Sequence, residues 1–184
     1  LNYILNNKAG GEDGMLILYS LLFDELEVPY QFVFTCNRYE KRFDPEFESY
    51  HYIDEDLLYF PEIDEYVVPA DITSRIGLVP AFYSNNYGAF FKPEKTKDDW
   101  LVKTTNKLLP ADSYLESTDS FRLHADLRKD LENPLFTVNQ ELTGHNAQTI
   151  QIIADYLEAE EVENLLEGMV KNLNTNADLD TFYY

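Results

Sequence analysis

The stretch that decides the fold is "NNKAGGEDGMLILYSLLF", residues 6–23, in which a glycine-rich turn leads directly into an apolar segment. Apolar side chains recur at intervals of three and four over residues 12–26, which predicts a helix that buries one face. Val28 and Pro29 then end the helix, because proline cannot continue it. Glu12 and Asp13 lie in its first turn, where carboxylates stabilise free backbone amides and the positive end of the helix dipole. On residue chemistry alone, capping is the favoured role of these two side chains.

The segments after this helix have the composition of β-strands. Residues 30–36 are β-branched and aromatic, and residues 56–62 and 65–71 flank an acidic turn, which predicts a hairpin. Two further strands are predicted at residues 88–91 and 100–105. Together these segments predict an α+β protein whose central helix packs on an antiparallel sheet.

The last third of the chain changes character after Pro110. The segments "SYLEST" at 113–118 and "FRLHADLRKDL" at 121–131 alternate as strands do, and the second places Phe121, Leu123, Ala125 and Leu127 on one face. Two helical stripes follow, over residues 147–157 and 162–173, with Gly144 near the start of the first. We therefore expect two domains, 1–108 and 109–184, the second a small domain of strands and a helical hairpin.

Composition excludes several classes of function. The chain is 45% hydrophobic with 14 Tyr and 12 Phe, which indicates a folded protein, and 34 Asp and Glu against 14 Lys and Arg give a net charge of −20 that disfavours nucleic acid as a partner. A single cysteine excludes an internal disulfide framework. No apolar run reaches the roughly 20 residues that span a bilayer. The chain opens without Met directly before a helix, which indicates a piece of a longer protein.

The first motif resembles the nucleophile region of transglutaminase-like domains, which have a papain-type fold. The matching residues are "KAGGEDGMLILYSLL", 8–22, followed by a β-rich strand. In that family the motif is a glycine, one residue, the catalytic cysteine, one residue, an aspartate and an apolar helix. Matching Asp13 to the aspartate puts the cysteine position at Gly11. The resemblance therefore implies that the nucleophile is missing.

The resemblance continues through "FDPEFESYHYIDEDLLYFPEIDEYVVPADI", residues 43–72. Aligned on the strand "LLYFPEIDEY", the family's histidine position falls on Glu55, and its aspartate position falls on Val68. The resemblance covers residues 1–95. Within the family, the chain is similar to a bacterial multi-domain branch, whose members are commonly exported or periplasmic. All three positions of the implied Cys-His-Asp triad are thus replaced.

The loss of the triad implies a non-catalytic domain. Acyl transfer of this type needs a thiolate, an imidazole that pairs with it and a carboxylate that orients the imidazole. The groove between the helix start and the sheet would remain, with Glu12, Asp13, Asp54 and Tyr52 as candidate lining residues. The resemblance implies a structural role, or a role in binding a peptide, a protein or neighbouring domains of a larger bacterial protein, with no cofactor and no metal.

Two other interpretations use different residues. A carboxylate-based or metal-assisted hydrolase would gather Glu12, Asp13 and Glu55 around the remodelled groove. A displaced nucleophilic site would instead join Cys36, His51 and Asp71, although a shift of three or four residues moves a side chain by roughly 10 Å along an extended chain. The three histidines are scattered and the acidic residues lack the spacing of a calcium loop, so the sequence predicts neither a zinc nor a calcium site.

Overall fold

The structure is a computed structural model that describes residues 2–7, 9–47, 51–97, 99–128 and 134–183. It is a mixed α+β protein with antiparallel pairing and several helices. The chain divides into two compact units, Leu1–Glu116 and Ser117–Tyr184, whereas we expected a boundary after residue 108. Leu109 is fully buried, and its amide donates to the carbonyl of Asn86, which ties the segment after residue 108 to the first unit.

The first unit begins with two helices, α1 (Asn2–Asn7) and α2 (Glu12–Glu25). The observed α2 confirms the helix predicted from the apolar spacing. Gly11 is its N-cap and has an extended backbone, and the amide of Met15 donates to the Gly11 carbonyl at 2.9 Å. A Cβ atom at Gly14 would lie 2.9 Å from Cδ1 of Ile4, so a glycine at this position lets α1 approach the start of α2.

Five antiparallel strands form the sheet of the first unit, in the order β3-β2-β1-β4-β5. The predicted β2–β3 hairpin is confirmed, with Leu58 opposite Val67. The last two strands pair over nine residues and are longer than predicted. Pro93 is tolerated inside β4 because β1 pairs with β4 only at Ala89, Phe90 and Phe91, so the far end of β4 has a single partner. The strands are β1 (Gln31–Thr35), β2 (Glu55–Phe60), β3 (Glu65–Val67), β4 (Tyr87–Lys95) and β5 (Trp100–Leu108).

The sheet has a buried cluster on each face. On one face, Leu58 and Phe60 pack with Leu16 of α2, and the Phe23 and Phe60 rings meet edge to face at 5.0 Å. On the other face, residues of β1, β2, β3 and β4 pack with the segment that follows β3: Val33, Leu57, Tyr59, Tyr66, Val68, Val79, Tyr83, Phe90 and Leu109. Successive residues of β2 therefore point alternately towards α2 and towards this segment.

The second unit contains β6 (Asp119–Asp126), β7 (Leu135–Leu142), α3 (His145–Tyr156) and α4 (Ala159–Leu173). Helices are observed where both helical stripes were predicted, and Gly144 is the N-cap of α3. No strand was predicted for Leu135–Leu142, which form β7 and pair with β6 in an antiparallel ribbon. Part of the predicted strand 121–131, from residue 129 onwards, lies outside the described residues.

The strand predicted for "SYLEST" is wrong. Tyr114–Glu116 form a single 3₁₀ turn instead. The hydroxyl of Ser113 accepts a hydrogen bond from the amide of Leu115 at 3.3 Å, and the Ser113 carbonyl accepts from the amide of Glu116 at 2.9 Å. A serine that bonds to the backbone just after it favours a turn over a strand, and this competes with the alternating pattern.

Candidate functional site

A cavity of about 240 Å³ opens beside the start of α2 and the start of β2. Glu55 and Val68, two of the positions matched by the resemblance, both line it, and Glu12, which directly follows the third position at Gly11, lines it too. The regions singled out in the sequence therefore come together in space. The complete lining is Glu12, Glu55, Asp56, Val68, Ala70, Asp71, Phe82 and Tyr83.

The start of α2 has room for a side chain that the sequence does not provide. Apart from its neighbours in the chain, no atom of the described residues would lie within 4 Å of a Cβ atom added at Gly11. The Gly11 backbone is extended at φ −75°, ψ 176°, a conformation open to any residue. Glycine at this position is therefore not required by the local backbone, and a larger side chain would extend into open space.

Glu55 points to the face of the sheet opposite α2. It pairs with Thr35 across the β1–β2 ladder, and it accepts a short hydrogen bond from the Tyr83 hydroxyl. Burial, and then the hydrogen bond to Glu55, raise the pKa of Tyr83 above its ordinary value. Tyr83 therefore stays protonated as a donor, and the Glu55 carboxylate is held as its acceptor.

Asp56 is the residue of β2 that faces the start of α2, and in the sequence it stands out only as part of the acidic run 54–56, which lacks the spacing of a calcium loop. It lies on the same face as Leu58 and Phe60, which pack on the helix. Its Oδ2 atom is buried and has no hydrogen-bond partner among the described residues. Burial raises the pKa of Asp56, and the nearby carboxylates of Glu12, Asp13 and Glu55 raise it further. The alternation of "EDLLYF" contained the signal that could have identified it.

Val68 belongs to the core rather than to a polar relay. It is buried in the cluster opposite α2, and its amide donates to the hydroxyl of Ser74 at 2.9 Å. The turn after β3 is closed by Asp71, whose Oδ1 accepts from the amide of Thr73 at 2.8 Å and whose amide donates to the Val68 carbonyl at 3.2 Å. This turn carries Asp71 and Ala70 to the cavity.

Asp13, Asp54 and Tyr52, the other three candidate groove residues, are not among the residues that line this cavity. Asp54 is exposed and forms an ion pair with Lys41 at 2.9 Å. The Tyr52 ring packs at 6.0 Å from that of Phe43, and its hydroxyl accepts from the amide of Asp44 at 3.1 Å. Both side chains stabilise the loop between β1 and β2.

Cys36 is a buried structural residue. Its thiol donates to the carbonyl of Lys41 at 3.3 Å, and its own carbonyl accepts from the Asn86 side chain at 2.9 Å. Burial raises the pKa of Cys36, so the thiol is held in its protonated form, which is a poor nucleophile. His51 is exposed, and Asp71 lines the cavity that Cys36 does not reach. This geometry disfavours a site built from these three residues.

Within the described ranges, no group of three or more His, Cys, Asp or Glu side chains is arranged to hold a metal ion. In the same part of the chain, no helix has the length and apolar character needed to span a bilayer. A second, smaller cavity of about 190 Å³ lies at the other end of α2, between Asp24, Val28, Pro29, Tyr30, Phe32 and Pro93.

Comparison with known proteins adds no relative. No protein-family model, no curated protein and no solved structure matches this chain.

Proposed function

We propose that this chain is a non-catalytic binding module, that its first unit has a degenerate transglutaminase-like fold, and that the cavity beside α2 holds a peptide segment of a partner. The single observation that carries the proposal is that Glu55 and Val68 line one cavity together with Glu12, the neighbour of Gly11. The resemblance implies that the three triad positions surround one groove between the helix start and the sheet. The observed cavity opens beside the start of α2 and the start of β2.

The chemistry of these residues supports binding rather than acyl transfer. Gly11 has no side chain, and the one cysteine of the chain is buried away from the cavity. Glu55 carries no proton-accepting imidazole and is already hydrogen-bonded to Tyr83. Val68 can neither accept nor donate a side-chain hydrogen bond. A thiolate, its ion-pair partner and the orienting carboxylate are therefore all without a counterpart at these positions.

The charge of the cavity defines the partner to test first. Four of the eight lining residues are acidic, and none of those eight is basic. The rings of Phe82 and Tyr83 meet edge to face at 4.3 Å and provide an aromatic wall. Carboxylates beside an aromatic wall match the charge and shape of an Arg or Lys side chain. We therefore expect peptides with a central basic residue to be preferred.

An array of short synthetic peptides tests the proposal directly. Each peptide has Arg, Lys, Gln or Glu at its centre in a constant neutral background. We expect retention of the full chain by the Arg and Lys peptides, loss of retention in Ala70→Trp, which fills the cavity, and no loss in the control Ala111→Trp. Ala70 and Ala111 are both exposed, so neither substitution disturbs the core. Two results contradict the proposal: equal retention of the wild-type chain by all four peptides, and retention of Ala70→Trp by the Arg and Lys peptides.

A carboxylate-based hydrolase is the second candidate, and the raised pKa of Asp56 favours it. Acid–base catalysis by two carboxylates needs one that is protonated near working pH and one that is ionised, and different surroundings create that difference. Mass spectrometry of the same peptides after incubation distinguishes the two candidates. Intact peptides support the binding module, whereas cleavage that Asp56→Asn abolishes supports the hydrolase. Because the described residues provide no metal-ligand cluster, we expect no heat on titration with Ca²⁺, Mg²⁺ or Zn²⁺.

A further inference from the structure

The Asp56 carboxylate is in an environment that opposes its charge. It stands at the start of β2 on the face covered by α2, and its Oδ2 atom is buried without a hydrogen-bond partner among the described residues. A carboxylate oxygen that is buried without a partner loses its hydration and gains nothing in return. Protonation removes this cost, because the neutral acid needs far less hydration.

Among the described residues that line the cavity or raise the pKa of Asp56, every charged group is a carboxylate. Glu12 and Asp13 lie in the first turn of α2, Glu55 precedes Asp56 on β2, and the charges of these three carboxylates raise the pKa of Asp56. Asp71, from the turn after β3, lines the same cavity. The cross-strand neighbour of Asp56 on β1 is Phe34, which is apolar, and the Tyr83 hydroxyl donates its hydrogen bond to Glu55. Ionised Asp56 is therefore repelled by carboxylates from α2 and β2 and is not neutralised by any residue lining the cavity.

We propose that Asp56 is an acid-sensitive switch in the first unit, which holds the start of α2 on β2 more firmly when it is protonated. The switch is a property of the fold and does not depend on whether the cavity binds a peptide. At neutral pH the repulsion between Asp56 and the first turn of α2 loosens this contact. In mild acid, one proton at Asp56 removes that repulsion and closes the start of the helix on the strand.

The sign of the pH dependence follows from the direction of the shift. Burial and the neighbouring carboxylates raise the pKa of Asp56 in the folded chain above its ordinary value of 3.8. The folded state therefore binds more protons than the unfolded state between the two pKa values, and stability falls as pH rises through that interval.

Thermal unfolding of the full chain at two pH values tests the switch. The methyl NMR signals of Leu57 and Leu58, both fully buried in the first unit, report its midpoint temperature. We expect the wild-type midpoint temperature to rise when the pH is lowered from about 7.5 to about 5. In Asp56→Asn it should be higher than wild type by about 3 °C or more at the upper pH and should change less with pH.

The matched control is Glu62→Gln, which removes one negative charge from the exposed turn between β2 and β3. The midpoint temperature of Glu62→Gln should match that of the wild type at both pH values. This variant removes the same negative charge as Asp56→Asn, but at a position away from the carboxylates near Asp56. Glu12→Gln provides a second variant, and we expect it to raise the midpoint at the upper pH by relieving the same repulsion. The proposal is overturned if Asp56→Asn keeps the wild-type pH dependence, or if Glu62→Gln reproduces its effect.

Discussion

The Tyr83 hydroxyl donates a hydrogen bond to the Glu55 carboxylate, which joins the segment before β4 to the first residue of β2. Tyr83 is buried in the cluster on the face of the sheet opposite α2. The contact crosses 28 positions of the chain and closes one wall of the cavity. A polar pair at the edge of an apolar cluster therefore fixes the position of the residue that the resemblance aligned with a catalytic histidine.

Removing this hydrogen bond should destabilise the first unit. In Tyr83→Phe the ring remains in the cluster while the half-buried Glu55 loses its donor, so we expect the free energy of unfolding to fall by about 1–2 kcal/mol. Urea unfolding followed through the methyl signals of the first unit measures the change. The matched control is Tyr114→Phe, because Tyr114 is 83% exposed, and it should be silent. Equal effects of the two substitutions would argue against a structural role for the hydroxyl.

Thiol labelling should separate Cys36 from the open position at Gly11. Cys36 is fully buried and its pKa is raised by burial, so it should react with a thiol reagent only after unfolding. Gly11→Cys places a thiol in open space at the N-terminus of α2, and we expect one rapidly labelled cysteine in the folded chain. Mass spectrometry counts the labels. Rapid labelling of the native chain, or protection of the new thiol, would contradict the placement of these two residues.

Gly88 should tolerate no added methyl group, in contrast to Gly11. A Cβ atom at Gly88 would lie 2.7 Å from Cγ1 of Val33 and 3.3 Å from Cδ2 of Leu109, both fully buried. We expect Gly88→Ala to lower the free energy of unfolding by about 1–3 kcal/mol. Gly11→Ala meets no neighbour and should cost less than about 1 kcal/mol through the weaker N-cap. Urea unfolding of both variants measures the two changes. A larger loss of unfolding free energy in Gly11→Ala than in Gly88→Ala would show that β4 does not pack on Val33 as described.

The capping box of α4 should control the opening of its first turn. The amide of Glu158 donates to the side chain of Glu161 at 3.0 Å, and the side chain of Glu158 accepts from the backbone of residue 161 in return. Because such a cap contributes about 0.5–2 kcal/mol, Glu158→Ala should accelerate amide exchange in the first turn of α4 by about twofold to thirtyfold. Glu163→Ala, on the exposed surface of α4, is the control. Unchanged exchange in Glu158→Ala would contradict the cap.

Local periodicity accounts for the elements that the sequence predicted. The spacing of apolar residues in α2 and the acidic turn between β2 and β3 are short-range signals, and the structure confirms both. The "SYLEST" strand failed because the backbone bonds of Ser113 compete with an alternating pattern over the same few residues. The length of β4 and β5 depends on pairing across the hairpin rather than on the composition of either strand.

The cavity was predictable only in part, for a similar reason. The resemblance identified Gly11, Glu55 and Val68, which stand beside recognisable strand and helix patterns. Phe82 and Tyr83 come from a segment without a period, and long-range packing alone brings them to the cavity. The position of Asp56 could not be predicted because the sequence shows only three adjacent acidic residues at 54–56, while the pleat of β2 decides which of them faces the helix.

The most direct test of the binding module is an NMR titration of the isotopically labelled full chain with the Arg-centred peptide. We predict saturable shifts of the amide signals of Glu12, Asp56, Asp71 and Tyr83, together with the absence of these shifts in Ala70→Trp and recovery of intact peptide. Shifts that spread evenly over the surface, persist in Ala70→Trp or accompany peptide cleavage would contradict the assignment of this cavity as a non-catalytic peptide-binding site.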